Sequence, residues 1–251
     1  MLTLKNITYA YGLGPETQVL NNFNLDIKPG EFVSIIGPNG CGKSTLLNLA
    51  SGLLQAQSGI ITFNGKSMRD CKAGFVFQNY SESLFPWLTV RENITFPLKA
   101  KGVSKVERLK QVDELCAKLN VRIPLEVRPQ SLSGGQQQLV SILRSLIIQP
   151  EILFLDEPFS SLDYQTTLEM MIEFRKIWEA QPTTTLFVSH DIDEALYLSS
   201  KIIVLSKKPA AIKKIVANTL PSMRSPEIMK SAEFASLKQE ILSLYLSEIN
   251  V

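Results

Sequence analysis

Nine residues, Gly37-Pro-Asn-Gly-Cys-Gly-Lys-Ser-Thr45, put three glycines, one lysine and two hydroxyls into a single short loop. Gly37, Gly40 and Gly42 would let backbone N–H groups crowd round phosphate oxygens, and a helix starting after them would add partial positive charge at its N-terminus. The spacing G-x4-G-K-S, with Pro38, Asn39, Gly40 and Cys41 as the four intervening residues, is that of a phosphate-binding loop. In it Lys43 would reach the β- and γ-phosphates of a nucleoside triphosphate, and the Ser44 hydroxyl would ligate Mg²⁺. Cys41 is expected to be chemically inert there.

Two carboxylates, Asp156-Glu157, close the apolar run Ile152-Leu-Phe-Leu155. That is a poor place for charge unless something cationic lies beyond it. In isolation the pair reads as a solvated strand end. Beside a phosphate loop, Asp156 would hold Mg²⁺ through water and Glu157 would polarise an attacking water. His190 follows another apolar run, Thr185-Leu-Phe-Val188, and is expected to act at the same place. A further stretch, Ser131-Leu-Ser-Gly-Gly-Gln-Gln-Gln-Leu139, starts a helix with two glycines, although glycine is among the worst helix formers. Ser133-x-x-Gln136 has capping-box spacing, and with Gly134 and Gly135 in the first turn its N–H donors would stand uncovered by side chains. This is a second anion-facing surface.

The elements that must position these groups are legible as short runs. Phe32-Val-Ser-Ile-Ile36, Ile152–Leu155 and Thr185–Val188 do not alternate, which fits strands of a parallel sheet covered on both faces. Ligands of open α/β sheets sit beyond the carboxyl ends of the strands, so neighbouring strands would bring Gly37, Asp156 and His190 to one crevice. Leu4 to about Ile27 alternates and reads as an antiparallel β portion. From about Tyr80 to Gln149 the pattern is helical: Ser104-Lys-Val-Glu107 has capping-box spacing, and Val106, Leu109, Val112, Leu115, Cys116 and Leu119 form an expected core stripe. Ser225-Pro226 opens a last helical pattern carrying Leu237, Ile241, Leu244 and Tyr245.

The expectation is an α/β fold: a P-loop NTPase core with a mostly parallel sheet, an N-terminal antiparallel β portion and an inserted helical lobe that carries Leu132–Gln136. Residues 1–251 form one domain, with 1–79 and 150–251 as nucleotide-binding core and 80–149 as the lobe. At 251 residues and 45% hydrophobic the chain can bury a sizeable core. A net charge of +2 gives no reason to invoke nucleic acid as a partner. Three cysteines without metal-ligand spacing argue against a disulfide framework and for a reducing compartment. No secretory signal is visible at Met1–Asn6, no apolar run is long enough to span a bilayer, and no internal repeat appears.

Gly37–Thr45, Gln78, Leu132-Ser-Gly-Gly-Gln136, Ile152–Glu157, Ser161-Leu-Asp163 and His190 fall in the order that resembles the ATP-binding cassette ATPases, over essentially the whole chain. The resemblance implies two cassettes, identical or paralogous, packed head to tail. Each ATP would then lie between one chain's phosphate loop and the other's Ser133, Gly134, Gly135 and Gln136. It implies that Tyr11, in Tyr-Ala-Tyr-Gly with Tyr9 as the other candidate, stacks on adenine. Gln78 would join Ser44 and Asp156 round Mg²⁺, Asp163 would link the two sites, and His190 would contact the γ-phosphate. Relatives usually carry arginine at the Leu139 position, which puts one helix–core polar contact in doubt.

Ser83-Leu-Phe-Pro-Trp-Leu-Thr-Val-Arg-Glu-Asn93, Ser206–Ala211 and Ser225–Phe234 are similar to the nitrate/sulfonate/taurine importer branch, a similarity shared with carriers of bicarbonate and thiamine-precursor pyrimidines. That branch implies transmembrane permease subunits as partners, with a solute-binding protein acting indirectly, and a peripheral place on the cytoplasmic face of the membrane. Phe85 and Trp87 would lie near the groove for the permease's coupling helix; the alternative makes them core aromatics. With the chain ending near residue 251, little room is expected for an appended domain. A soluble cassette ATPase, such as one serving iron–sulfur assembly, is the competing function.

Overall fold

The computed structural model describes residues 1–249, apart from the side chains of Pro15, Tyr80, Ser81 and Ile249. Its strands are β1 (Leu2–Ala10), β2 (Gln18–Ile27), β3 (Phe32–Ile36), β4 (Ser58–Phe63), β5 (Lys66–Ser67), β6 (Ala73–Val76), β7 (Ile152–Asp156), β8 (Thr184–Val188), β9 (Lys201–Leu205) and β10 (Ile212–Ala217). One sheet has the order β10-β9-β3-β8-β7-β6 and is parallel except at β10; the other, β2-β1-β4-β5, is antiparallel.

All five residues of β3 and all five of β8 are buried, which explains why these strands do not alternate in polarity. Successive side chains still point to opposite faces. Val33, Ile35, Phe154, Leu186 and Val188 pack with α1 (Lys43–Ala50) and the antiparallel sheet. Phe32, Leu153, Leu155 and Phe187 pack on the other face with α5 (Gly134–Leu146) and α6 (Tyr164–Ala180). Truncating a buried leucine in either layer to alanine costs about 2–5 kcal/mol. A third cluster joins α7 (Ile192–Leu198), β9 and α8 (Ala232–Ile249) through Leu196, Ile202, Phe234 and Ile241.

The register decides the site. Ile35 pairs with Val188, and Val188 pairs with Asp156, so β3, β8 and β7 end level with one another. The three apolar runs are adjacent parallel strands, as their composition predicts. Strands β4 and β5 were not visible in the sequence; they join the antiparallel sheet through β1, where Leu2 pairs with Phe63. Between β6 and β7 lie α2 (Tyr80–Ser83), α3 (Val90–Ala100), α4 (Lys105–Lys118) and α5.

Two helical details differ from expectation. Ser104 does cap α4 by accepting from the Glu107 N–H, but Val106 is 79% exposed: it sits in the first turn, before the buried stripe of Val112, Leu115 and Leu119 begins. The pattern from Ser225 is split into a 3₁₀ turn at Pro226–Lys230 and then α8, whose Phe234 N–H bonds the Ser231 hydroxyl. No helix among the described residues is long and apolar enough to cross a membrane.

Candidate nucleotide site

Strand β3 runs into Gly37, and the loop reverses through Gly40 at φ 74° and Gly42 at φ 113°, left-handed conformations that favour glycine. Gly42 is the N-cap of α1 and supplies no side-chain cap, so the first N–H groups of that helix have no side-chain partner there. Lys43 is only 6% exposed. Its ammonium donates to the carbonyls of Gly37 (2.9 Å) and Pro38 (3.3 Å), and no carboxylate pairs with it among the described residues. A buried cation without a counter-ion is costly, so this loop is built to receive an anion. Cys41 is buried behind it, and burial pushes its thiol up, which keeps it un-ionised and inert. Thr45 bonds the Tyr11 hydroxyl at 3.0 Å; the Tyr11 ring is 63% exposed, while Tyr9 meets it edge-on and lies partly buried.

Across the crevice the Ser44 hydroxyl donates to Asp156 Oδ1 at 2.9 Å. Burial raises the Asp156 carboxyl above its ordinary range, with the Ser44 bond opposing and Glu157 reinforcing. A hydroxyl and a desolvated carboxylate side by side are hard oxygen donors suited to Mg²⁺. Such a site needs no larger protein cage, because phosphate and water complete the shell. No group of three or more His, Cys, Asp or Glu that could hold a metal is found among the described residues.

Glu157 has φ 43°, left-handed for a residue that is not glycine, and its N–H bonds the carbonyl of Val188, the last residue of β8. Its Oε2 accepts from Gln78 Nε2 at 3.1 Å and lies 3.2 Å from His190 Nδ1. Three residues from the ends of β6, β7 and β8 thus meet on one oxygen. A carboxylate fixed in this way can orient and polarise a water molecule.

The helix start at Ser133 forms the full capping box: Ser133 Oγ accepts from the Gln136 N–H, and Gln136 Oε1 accepts from the Ser133 N–H. Among the described residues, no hydrogen bond joins Ser133–Gln136 to Gly37–Thr45. Gly134 is half-exposed, but Gly135 is buried, and a Cβ there would lie 2.8 Å from Thr166 Cγ2, so this glycine also lets α5 pack on α6. Asp163 caps α6, accepting from Thr166 N–H and Oγ1, which hold its carboxyl below the ordinary range. Leu139, at the position usually held by arginine, is buried in the apolar cluster with Leu132 and Met170, so packing takes the place of the polar contact.

Sequence reading missed several groups because their partners are remote. Arg144 of α5 donates to Ser83 O (2.6 Å) and Ser83 Oγ (3.0 Å) and lies over the Phe85 ring. It lines a cavity of about 710 Å³ with Phe77, Gln78, Phe85, Phe96 and Asp156. Trp87 is 67% exposed, so it is no core aromatic. Glu194 is buried on α7 against Ser189. Arg175 and Arg224 donate to the last carbonyls of α7 at Leu196, Tyr197 and Leu198.

A strand-loop-helix with this lysine, a hydroxyl–carboxylate pair and a glycine-led helix start define an ATPase cassette. The family model for ABC transporters matches residues 20–160, and the chain belongs to that family as an ATP-hydrolysing subunit. It is 38% identical over 242 residues to a putative ATP-binding protein of Brucella abortus, covering 96% of this chain and 91% of the relative. It is 40% identical over 232 residues to the aliphatic sulfonates import ATP-binding protein SsuB of Bacillus cereus, covering 91% and 88%. Among solved structures, the dimeric post-hydrolysis state of the cassette MJ0796 bound to ADP and Pi superposes with a TM-score of 0.73 at 35% identity, covering 88% of this chain and all of that one.

Proposed function

We propose that this chain is the ATP-hydrolysing subunit of an importer, working with a second cassette and separate permease subunits to take up a small anion or solute of the nitrate, sulfonate or taurine type. The observation that carries the chemistry is the convergence of Gln78 and His190 on Glu157 Oε2, beside a buried Lys43 without a counter-ion. In this reading the loop N–H groups from Gly37 to Thr45 bind the phosphates, and Lys43 exchanges its two carbonyls for β- and γ-phosphate oxygens. The open ring of Tyr11 stacks on adenine. Glu157, aimed by its two partners, takes the proton of the attacking water, and His190 contacts the γ-phosphate. Mg²⁺, held by Ser44, Asp156 and Gln78, supplies charge neutralisation at the phosphates when bound.

The second cassette enters through the helix start at Ser133. Its capping box consumes the N–H groups of Ser133 and Gln136 and leaves those of Gly134 and Gly135 for an anion. With Ser133, Gly134, Gly135 and Gln136 facing a triphosphate bound by the partner, and Asp163 linking the two sites, ATP favours the closed pair because only that state satisfies both donor sets. Hydrolysis removes the bridge. The cavity bordered by Phe85 and Arg144, with Trp87 nearby, suits a permease helix and touches Gln78 and Asp156, so it can report nucleotide state to the membrane partner. The permease holds the chain at the cytoplasmic face, and a solute-binding protein acts only through it. The 40% identity to an aliphatic sulfonates import protein supports the cargo class.

Glu157→Gln should keep ATP binding and lower turnover by about 10²–10⁴-fold; near-normal hydrolysis would remove Glu157 from its role. From solubilised membranes the chain should co-purify with a multi-span permease. Recovery wholly in the cytosolic fraction would instead favour the soluble cassette.

A further inference from the structure

The His190 ring is half-exposed, and among the described residues its only side-chain hydrogen-bond partner is Glu157. Its aim therefore depends on the backbone that carries it. That backbone is fastened on both sides. Ser189 N–H bonds the Ile35 carbonyl (3.3 Å), and Ser189 Oγ accepts from the Asp191 N–H (2.9 Å), bracing the turn across His190. Asp191 Oδ1 in turn accepts from the N–H groups of Asp193 (2.7 Å) and Glu194 (3.2 Å), which starts α7. The Ser189 hydroxyl is itself held by Glu194, donating to Oε2 at 2.6 Å with both residues buried.

A carboxyl at this depth is an expensive way to fill space, and an apolar side chain would serve packing alone better. We propose that Glu194 is a positioning residue for ATP hydrolysis: through Ser189 it fixes the turn that points the His190 imidazole at Glu157. The proposal rests on the reading of His190 given above. Burial raises the Glu194 carboxyl to about 7, against the pull of the Ser189 bond and with Asp191, Glu157 and Asp193 adding to the rise. Lys238 of α8 is engaged by Asp193 at 2.8 Å, and among the described residues Glu194 has no ion-pair partner of its own.

Steady-state ATP hydrolysis by the full chain tests this. Glu194→Ala should lower kcat roughly 10-fold or more, because about 1 Å of misplacement costs up to about 10²-fold, while KM for ATP changes less than about 2-fold. Glu194→Gln, whose amide oxygen still accepts from Ser189, should recover most of the loss. In a His190→Ala background, Glu194→Ala should cost nothing further. If Glu194→Ala does not fold, Ser189→Ala removes the same bond from the other side and should give the same kcat-selective loss. Equal losses in the alanine and glutamine variants, a loss confined to KM, or losses that multiply with His190→Ala would each overturn the proposal. Wild-type turnover in His190→Ala alone would sink the underlying reading of the histidine, and the proposal with it.

Discussion

The loop at Gly37–Thr45 and the helix start at Ser133–Gln136 both place glycines at the head of a helix, yet the chain completes them differently. At the loop Gly42 offers no cap, Lys43 lies buried with only carbonyls to hold, and Ser44 and Asp156 already touch. At Ser133 the capping box is closed in both directions, the two donors it leaves over belong to the glycines, and Gly135 is pressed against α6. The first region is gathered by the ends of three strands of its own chain. The second is self-contained: its box closes within Ser133–Gln136, and among the described residues no side chain bonds the N–H groups of its two glycines. On the reading proposed above, such a half-site serves a neighbouring chain.

The largest expected effect separates the two regions directly. Lys43→Ala should weaken ATP binding by about 10²-fold or more, the range for losing a buried charge-assisted contact, whereas Ser133→Arg should leave binding to the isolated chain near wild type. Nucleotide titrations of both variants would show it, and equal losses would erase the distinction. Next, a mixture of Ser133→Arg chains with Lys43→Ala chains should hydrolyse ATP that neither variant turns over alone, since the mixed pair keeps one complete site. No gain on mixing would mean that the signature does not act across chains.

A stability measurement probes the strand-end side. Because the folded pKa of Glu194 is raised from 4.5 to about 7, the native chain binds more protons than the unfolded one between those values, and stability falls as pH rises through that window. Glu194→Gln lacks this titration. Its advantage over wild type should be absent below pH 4.5 and grow to order 3 kcal/mol above pH 7, read from denaturant unfolding across that range; a pH-independent difference would contradict it.

The smallest effects compare the glycines. Gly42→Ala sets a Cβ 2.3 Å from Val19 Cγ1 at φ 113° and should destabilise by about 2–3 kcal/mol. Gly135→Ala gains about 1 kcal/mol of helix propensity against the crowding of Thr166, for a net loss of about 1 kcal/mol or less.

What the sequence disclosed was whatever neighbours in the chain decide. The Gly37–Thr45 loop, the box at Ser133–Gln136 and three unalternating strands each depend on residues within a few positions of one another. Their level ends followed from composition plus one assumption of adjacency, which the register bears out. Hidden features are those that depend on distant partners. Arg224 reaches carbonyls 25 to 28 residues back, Arg144 finds Ser83 across 61 residues, and β4 joins β1 only once both exist. Val106 shows the opposite failure: its spacing fits the stripe, but in the first turn of α4 it is left 79% exposed.

The backbone at Glu157 has a further consequence. A left-handed residue that is not glycine costs about 1–2 kcal/mol, and aspartate adopts that conformation more readily than longer acids do. A shorter acid would therefore rest more comfortably at this corner, yet its carboxylate would stop one carbon short of Gln78 and His190. At this position the chain has favoured reach over ease.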